Sequence, residues 1–187
     1  ETDKSEIYQS LLSVTKDEVY LDLGAYDGDT IREFLSYTDN SAKNIVAVEP
    51  DVKNFKKLLS KMSGITAINK GVFDSDGVVP FYTEASRNSS VSMNGKREIE
   101  VTTIDSLCKD LDVTFIKMDV EGCEREALNG AIETLQQKKP RLIVAAYHKT
   151  GDFFELVLQI KRINPNYQIY LRHQPYIPNW ETNIIVI

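Results

Sequence analysis

Short β-rich apolar runs alternate with amphipathic stretches along most of the chain, a pattern that predicts a doubly wound α/β domain. Val19-Tyr20-Leu21-Asp22-Leu23 reads as a first strand stopping at Gly24, and Ile31, Phe34 and Leu35 restart at helical spacing. Asp29 or Thr30 is the expected N-cap of that helix. Ile45-Val46-Ala47-Val48 reads as a second strand ending at Glu49-Pro50. Asp51 then caps a predicted helix whose Val52, Phe55, Leu58, Leu59 and Met62 share one face. Residues 65–68 make a third strand. Connections this short imply a parallel sheet covered on both faces.

Residues 71–102 break the rhythm. Asp74-Ser75-Asp76-Gly77 signals a turn, Val78 to Tyr82 a short strand, and Glu98 to Thr103 an exposed one. Together they predict a hairpin-type insertion, with the Ser/Asn-rich loop Ser86 to Ser92 as a candidate lid. Alternation resumes with a buried strand, Val113 to Met118, and one helix carrying Cys123, Ala127, Leu128, Ala131, Ile132 and Leu135 on one side. Lysines and Pro140 end that helix. Leu142 to Ala146 is a fifth strand and Phe153 to Ile163 another amphipathic helix. Tyr167 to Arg172 and Asn183 to Ile187 are strands with no helical stretch between them, so they should pair antiparallel. Residues 1–17, with Ile7, Tyr8, Leu11 and Leu12 at helical spacing, read as an N-terminal helical extension of a domain spanning 18–187.

Composition narrows the class. A chain of 187 residues, 42% hydrophobic and 27% charged, suits one soluble domain with a real core. Its net charge of −6 disfavours nucleic acid as a partner, since sequence-independent binding needs concentrated Lys and Arg. No apolar run approaches the length of a bilayer span, and no signal peptide is visible, so no membrane role and a cytoplasmic location are expected. Cys108 and Cys123 lack metal or redox spacing and read as buried small hydrophobes.

The turn Asp22-Leu23-Gly24-Ala25-Tyr26-Asp27-Gly28-Asp29-Thr30 is the most informative segment. Ligands of doubly wound sheets bind beyond the carboxyl ends of the strands. A dinucleotide would want G-x-G-x-x-G; here the spacing is G-x-x-x-G, with Tyr26 in the second glycine's slot. Asp22 and Asp27 beside the turn repel a diphosphate but favour a ligand with a sulfonium and an ammonium group, as in S-adenosyl-L-methionine. Glu49, at the end of the second strand, stands where a carboxylate can accept hydrogen bonds from both hydroxyls of a ribose.

Three stretches together resemble the FkbM family of methyltransferases over about residues 18–187. They are residues 19–30, Val48-Glu49-Pro50, and Phe115-Ile116-Lys117-Met118-Asp119-Val120-Glu121-Gly122-Cys123-Glu124. The last is the most specific, because Lys-x-Asp-x-Glu-Gly-x-Glu leaving the fourth strand is a hallmark of that family. The resemblance implies a Rossmann-like class I methyltransferase fold: a mostly parallel seven-stranded sheet with a C-terminal antiparallel hairpin and helices on both faces. It implies S-adenosyl-L-methionine as cofactor and O-methylation of a small hydroxyl-bearing acceptor, a sugar or other secondary metabolite. By the same likeness Asp22, Gly24, Gly28 and Thr30 would line the methionine end, Glu49 would hold the ribose, and Val72 would pack near the adenine. Asp119 would face the methionine ammonium or the acceptor. Ala25, Tyr26 and Pro50 complete the expected cofactor contacts, and Tyr26 departs from the family's usual smaller polar residue.

An alcohol must lose a proton when it is methylated, which calls for a base near the sulfonium. His148, after the fifth strand, and Asp119 and Glu121, after the fourth, are the catalytic candidates. Lys117 reads as a salt-bridge partner for Asp119 or simply an exposed alternate, and Glu121 competes with a role as a helix-start carboxylate. His173 carries less weight, and Trp180 is a candidate substrate wall. No metal is expected, although Asp119, Glu121 and His148 could coordinate a divalent ion as an alternative chemistry. Two other readings compete: a non-catalytic domain of this fold that binds an adenosyl ligand or a protein, and a nicotinamide-dependent oxidoreductase, which Tyr26 disfavours. If Glu49 holds the ribose, Glu49→Ala should weaken S-adenosylhomocysteine binding by roughly tenfold or more in calorimetry, and an unchanged affinity would remove that role.

Overall fold

The computed structural model describes residues 2–82, 90–91, 97–174 and 182–187. A π-helical turn, Glu6–Leu11, precedes β1 (Val19–Leu23), α1 (Asp29–Ser36), β2 (Asn44–Val48), α2 (Val52–Lys61) and β3 (Thr66–Ile68). The insertion holds β4 (Gly71–Val72), β5 (Gly77–Tyr82), β6 (Ser90–Val91) and β7 (Arg97–Thr102). Then come α3 (Ile104–Leu107), β8 (Phe115–Met118), α4 (Glu124–Asn129), α5 (Ile132–Gln137), β9 (Arg141–Ala145) and α6 (Asp152–Ile163). The strands β10 (Ile169–His173) and β11 (Thr182–Val186) follow.

The main sheet has seven strands in the order β10-β11-β9-β8-β1-β2-β3. From β3 to β9 neighbours run parallel, whereas β11 is antiparallel to both β9 and β10. This is the class I methyltransferase arrangement, with the C-terminal hairpin as expected. The insertion forms a separate sheet, β4-β7-β5-β6, in which β5 pairs antiparallel with β7. Most of the candidate lid, and Trp180, lie outside the described residues.

Period-two burial distributes the strands between two cores. Leu21, Leu23, Ile116, Met118, Leu142, Val144, Ile184 and Val186 face one side, packing with residues of α3 to α6. Tyr20, Ile45, Phe115, Ile143 and Ile185 face the other, where the π-helical turn, α1 and α2 close the layer. Tyr20, Phe34 and Phe115 meet there with ring centroids 4.5 to 5.7 Å apart. The N-terminal turn belongs to this layer: Ile7, Tyr8 and Leu12 are almost fully buried.

Local expectations fail where packing overrides pattern. Gly28, with φ +85°, is the N-cap of α1, and no side chain caps that helix. Asp51 does cap α2, accepting from the N–H groups of Lys53 and Asn54. Val52 and Leu59 point outward, and the buried positions of α2 are Asn54 and Leu58. The single helix expected over 123–135 is two, α4 and α5. At Gly130 the backbone presses so close to the Phe73 carbonyl that a Cβ could not fit, and the Gly130 carbonyl accepts from Asp105 N–H at 2.8 Å. The break turns Ile132 outward, 42% exposed. Both cysteines are buried, as expected, and neither forms a disulfide. No described helix is long and apolar enough to cross a membrane.

Phe115, the ring shared by both stacks with Tyr20 and Phe34, should be the costliest truncation on this face. Phe115→Ala is expected to lower stability by about 3–5 kcal/mol in urea unfolding.

Candidate functional site

A cleft opens at the carboxyl ends of β1, β2, β8 and β9, where the parallel strands release their loops. Of the residues expected to bind cofactor, Gly24, Tyr26, Thr30, Glu49, Pro50 and Val72 line it. Asp119 and Glu121 line it as well, from the loop after β8. Asp22, Ala25, Gly28 and His148 do not; they lie behind the surface and act on those that do.

Glu49 organises the end of the cleft beside β2. Its Oε2 accepts from Tyr26 N–H and its Oε1 from Asp51 N–H, both at 2.9 Å. The carboxylate therefore ties the β1 turn to the start of α2, with one lone pair left on each oxygen. Burial pushes its pKa up to about 7 despite those two donors. Val72, Phe81 and Ile99 add an apolar wall beside it. A buried carboxylate next to an apolar wall fits a ribose and a purine.

Both glycines of the turn sit against neighbouring segments. Gly24 has φ +81°, and a Cβ there would strike the Asp119 carbonyl. Gly28 backs onto Met62 and Leu58. The Gly24 and Ala25 N–H groups both donate to the Val48 carbonyl, at 2.9 and 3.1 Å. What the glycines permit is the close approach of loop to loop.

Behind the turn runs a line of buried charge. Asp22 is fully buried and accepts from Thr30 Oγ1 at 2.5 Å. Burial raises Asp22 to about 6, with Lys117 and Thr30 opposing the shift. Lys117 is the register partner of Asp22 across β1 and β8, and its Nζ donates to Asp119 Oδ2 at 3.3 Å. Tyr147 also donates to that oxygen, at 2.9 Å. Burial alone would raise Asp119, but Lys117, His148 and Tyr147 hold it below the usual carboxylate range.

His148 sits under the acidic loop. Its Nε2 lies 3.4 Å from Glu121 Oε2 and 3.5 Å from Asp119 Oδ1, and its Nδ1 lies 2.9 Å from Glu124 Oε1. Burial pulls its pKa down, yet the Glu121, Glu124 and Asp119 carboxylates overcome this and raise it to about 10. Glu124 is 1% exposed and accepts from the N–H groups of Val120 and Gly122. Glu121 occupies the left-handed region, φ +54°, so the loop carries backbone strain where it meets the cleft.

The far end of the cleft was not foreseen. Tyr147, Gln174 and Asn183 line it from the ends of β9, β10 and β11, and Lys4 and Tyr8 from the N-terminal segment. Glu124 and Tyr147 stood next to named candidates in the sequence. Gln174 and Asn183 had no signal, because only the hairpin register brings them to this edge. His173 turns to Thr182, with Nδ1 2.9 Å from Oγ1, and is absent from the cleft.

The sequence profile of the Methyltransferase FkbM domain matches residues 22–174, and the chain belongs to that family. Its members take S-adenosyl-L-methionine as methyl donor. The structure is similar to the FkbM methyltransferase of Methylobacillus flagellatus, with a TM-score of 0.85 and 30% identity, covering 100% of this chain and 48% of that one. This chain thus spans about half the length of that relative. Two more distant structures share the fold. Fibrillarin of Aeropyrum pernix, in complex with S-adenosyl-L-methionine, has a TM-score of 0.55 at 12% identity, covering 92% of this chain and 68% of that one. SMU.1697c of Streptococcus mutans, in complex with SAH, has a TM-score of 0.57 at 12% identity, covering 100% and 98%. No curated relative matches the chain.

The Glu49 pKa generates a pH test. Its ionised form, the better acceptor for a diol, dominates above about 7. Affinity for S-adenosylhomocysteine should therefore rise between about pH 6 and about pH 8 in calorimetry, and Glu49→Gln should flatten that rise. Glu49's contribution to ligand-free stability has the opposite sign. With a raised folded-state pKa, it is greatest below the ordinary glutamate value of 4.5 and is lost as pH climbs through about 7.

Proposed function

We propose that this chain is an S-adenosyl-L-methionine-dependent O-methyltransferase acting on a small, polar, hydroxyl-bearing acceptor such as a sugar or other secondary metabolite. The observation that carries the reading is the single cleft with two differently built ends. One end offers Glu49 and an apolar wall, suited to an adenosyl group. The other offers Tyr147, Gln174 and Asn183, neutral groups that can exchange hydrogen bonds with hydroxyls.

Asp119 stands between the two ends and is the proposed contact for the acceptor hydroxyl. Lys117 and Tyr147 both hold its Oδ2, which fixes the carboxylate. When bound, S-adenosyl-L-methionine supplies an electrophilic methyl group for in-line displacement. The chain's task is then to position the oxygen and take up its proton as the bond forms. A carboxylate kept ionised is suited to a late proton transfer rather than to removing the proton beforehand. Glu121 lines the cleft two residues further along the loop and is the second proposed catalytic group. His148 does not line the cleft, so its proposed part is to position Asp119 and Glu121 from behind.

Incubation with methyl-13C-labelled S-adenosyl-L-methionine and a panel of monosaccharides and hydroxylated polyketides tests the reaction. Label should appear in the methoxy region of the carbon spectrum, and label bound only to nitrogen would overturn O-methylation. With any acceptor so found, Asp119→Asn should cut turnover by roughly 10²–10⁴-fold while S-adenosylhomocysteine affinity stays near the parent's. Loss of affinity with turnover unchanged would instead place Asp119 on the cofactor.

A further inference from the structure

The loop after β8 and the end of β9 bring three metal-ligating side chains into one space. Asp119, Glu124 and His148 each offer an atom there, and these atoms all lie within 4.8 Å of one another. The set is not a group of surface acids. Glu124 is almost fully buried, and two backbone N–H groups fix its Oε1, so it cannot swing away. Asp119 Oδ1 is buried and accepts no hydrogen bond, although the other oxygen of the same carboxylate takes two. His148 Nδ1 is buried 2.9 Å from Glu124 Oε1. A buried carboxylate oxygen that accepts no hydrogen bond is rare in a folded core. A cation bound beside Asp119 Oδ1 would satisfy it.

We propose that Asp119, Glu124 and His148 form a divalent cation site. Carboxylate oxygens with one imidazole suit Mn²⁺ or Mg²⁺, and the nitrogen favours Mn²⁺. The strained backbone at Glu121 holds that residue between the histidine and the cleft. Because Asp119 and Glu121 also line the cleft, such an ion would border the acceptor end. There it would take the acceptor hydroxyl as a further ligand and make its proton easier to lose. That role rests on the methyltransferase reading above; the binding of the ion does not. The assignment also reverses the expectation of a metal-free site.

Chelator-treated protein titrated with MnCl₂ in a calorimeter should show saturable binding of one ion per chain and a raised melting temperature. Pulsed electron paramagnetic resonance of the bound Mn²⁺ should show coupling to an imidazole nitrogen. His148→Gln should remove that coupling, and Asp119→Asn should weaken binding by about tenfold or more. Absence of saturable binding at millimolar Mn²⁺, or bound Mn²⁺ in the parent protein without nitrogen coupling, would overturn the site. The parent spectrum alone decides should both variants fail to fold. Titrating S-adenosylhomocysteine into the same samples separates the two readings: its binding without Mn²⁺ binding defeats the ion site alone, and failure to bind it defeats the methyltransferase reading.

Discussion

A lysine buried in the middle of a parallel sheet constrains everything around it. Lys117 lies on β8 beside β1, and its side chain is 11% exposed. An ammonium there needs carboxylates on hand, since a buried charge without a partner is far costlier than one well paired. Asp22 supplies one from the adjacent strand and Asp119 the other from the loop beyond. The two acids are thereby committed to opposite tasks. Asp22, behind the cleft and bonded to Thr30, holds the first turn; Asp119, in the cleft, is held by Lys117, Tyr147 and His148. Burial alone would lower the Lys117 pKa, but Asp119 and Asp22 more than compensate, and the net effect is a raised pKa that keeps the cation in place.

From that charged line the site grows outward by backbone contacts rather than by side chains alone. The Val48 carbonyl takes the Gly24 and Ala25 N–H groups, Glu49 takes those of Tyr26 and Asp51, and Glu124 takes those of Val120 and Gly122. Each loop at the carboxyl edge of the sheet is pinned by an acceptor from a neighbouring segment. Such pinning preorganises the groups that line the cleft, at the cost of burying several acids close together. The raised pKa of Glu49 records that cost, and the lowered pKa of Asp119 records the neighbouring cations that offset it.

Much of the fold was legible in the chain because period-two runs such as Leu21-Asp22-Leu23 and Leu142 to Ala145 bury both faces, and that pattern depends on nearest neighbours. The hairpin was legible for a negative reason, the lack of helical spacing between two strands. What escaped was set by contacts between distant segments. Nothing near Gly130 announces that the Phe73 carbonyl will force a helix to break, and nothing near Val52 announces that it faces water. In the site, Glu49 and Asp119 could be found from their place at strand ends. Gln174 could not, because its presence in the cleft follows from the register of β10 on β11. The position of His148 was readable, but its surroundings of three carboxylates were not.

The contact between Gly24 and the Asp119 carbonyl has a consequence for reading other sequences of this shape. A bare α-carbon at that bend is demanded by two loops touching, whether or not anything is bound above them. A sister domain that had given up methyl transfer would keep the residue for the sake of its own architecture. The acidic side chain that closes β2 carries a different kind of information, because its burial brings a penalty that an occupant of the cleft can relieve. A screen for retained activity among such domains would therefore do better to ask about the acid than about the bend.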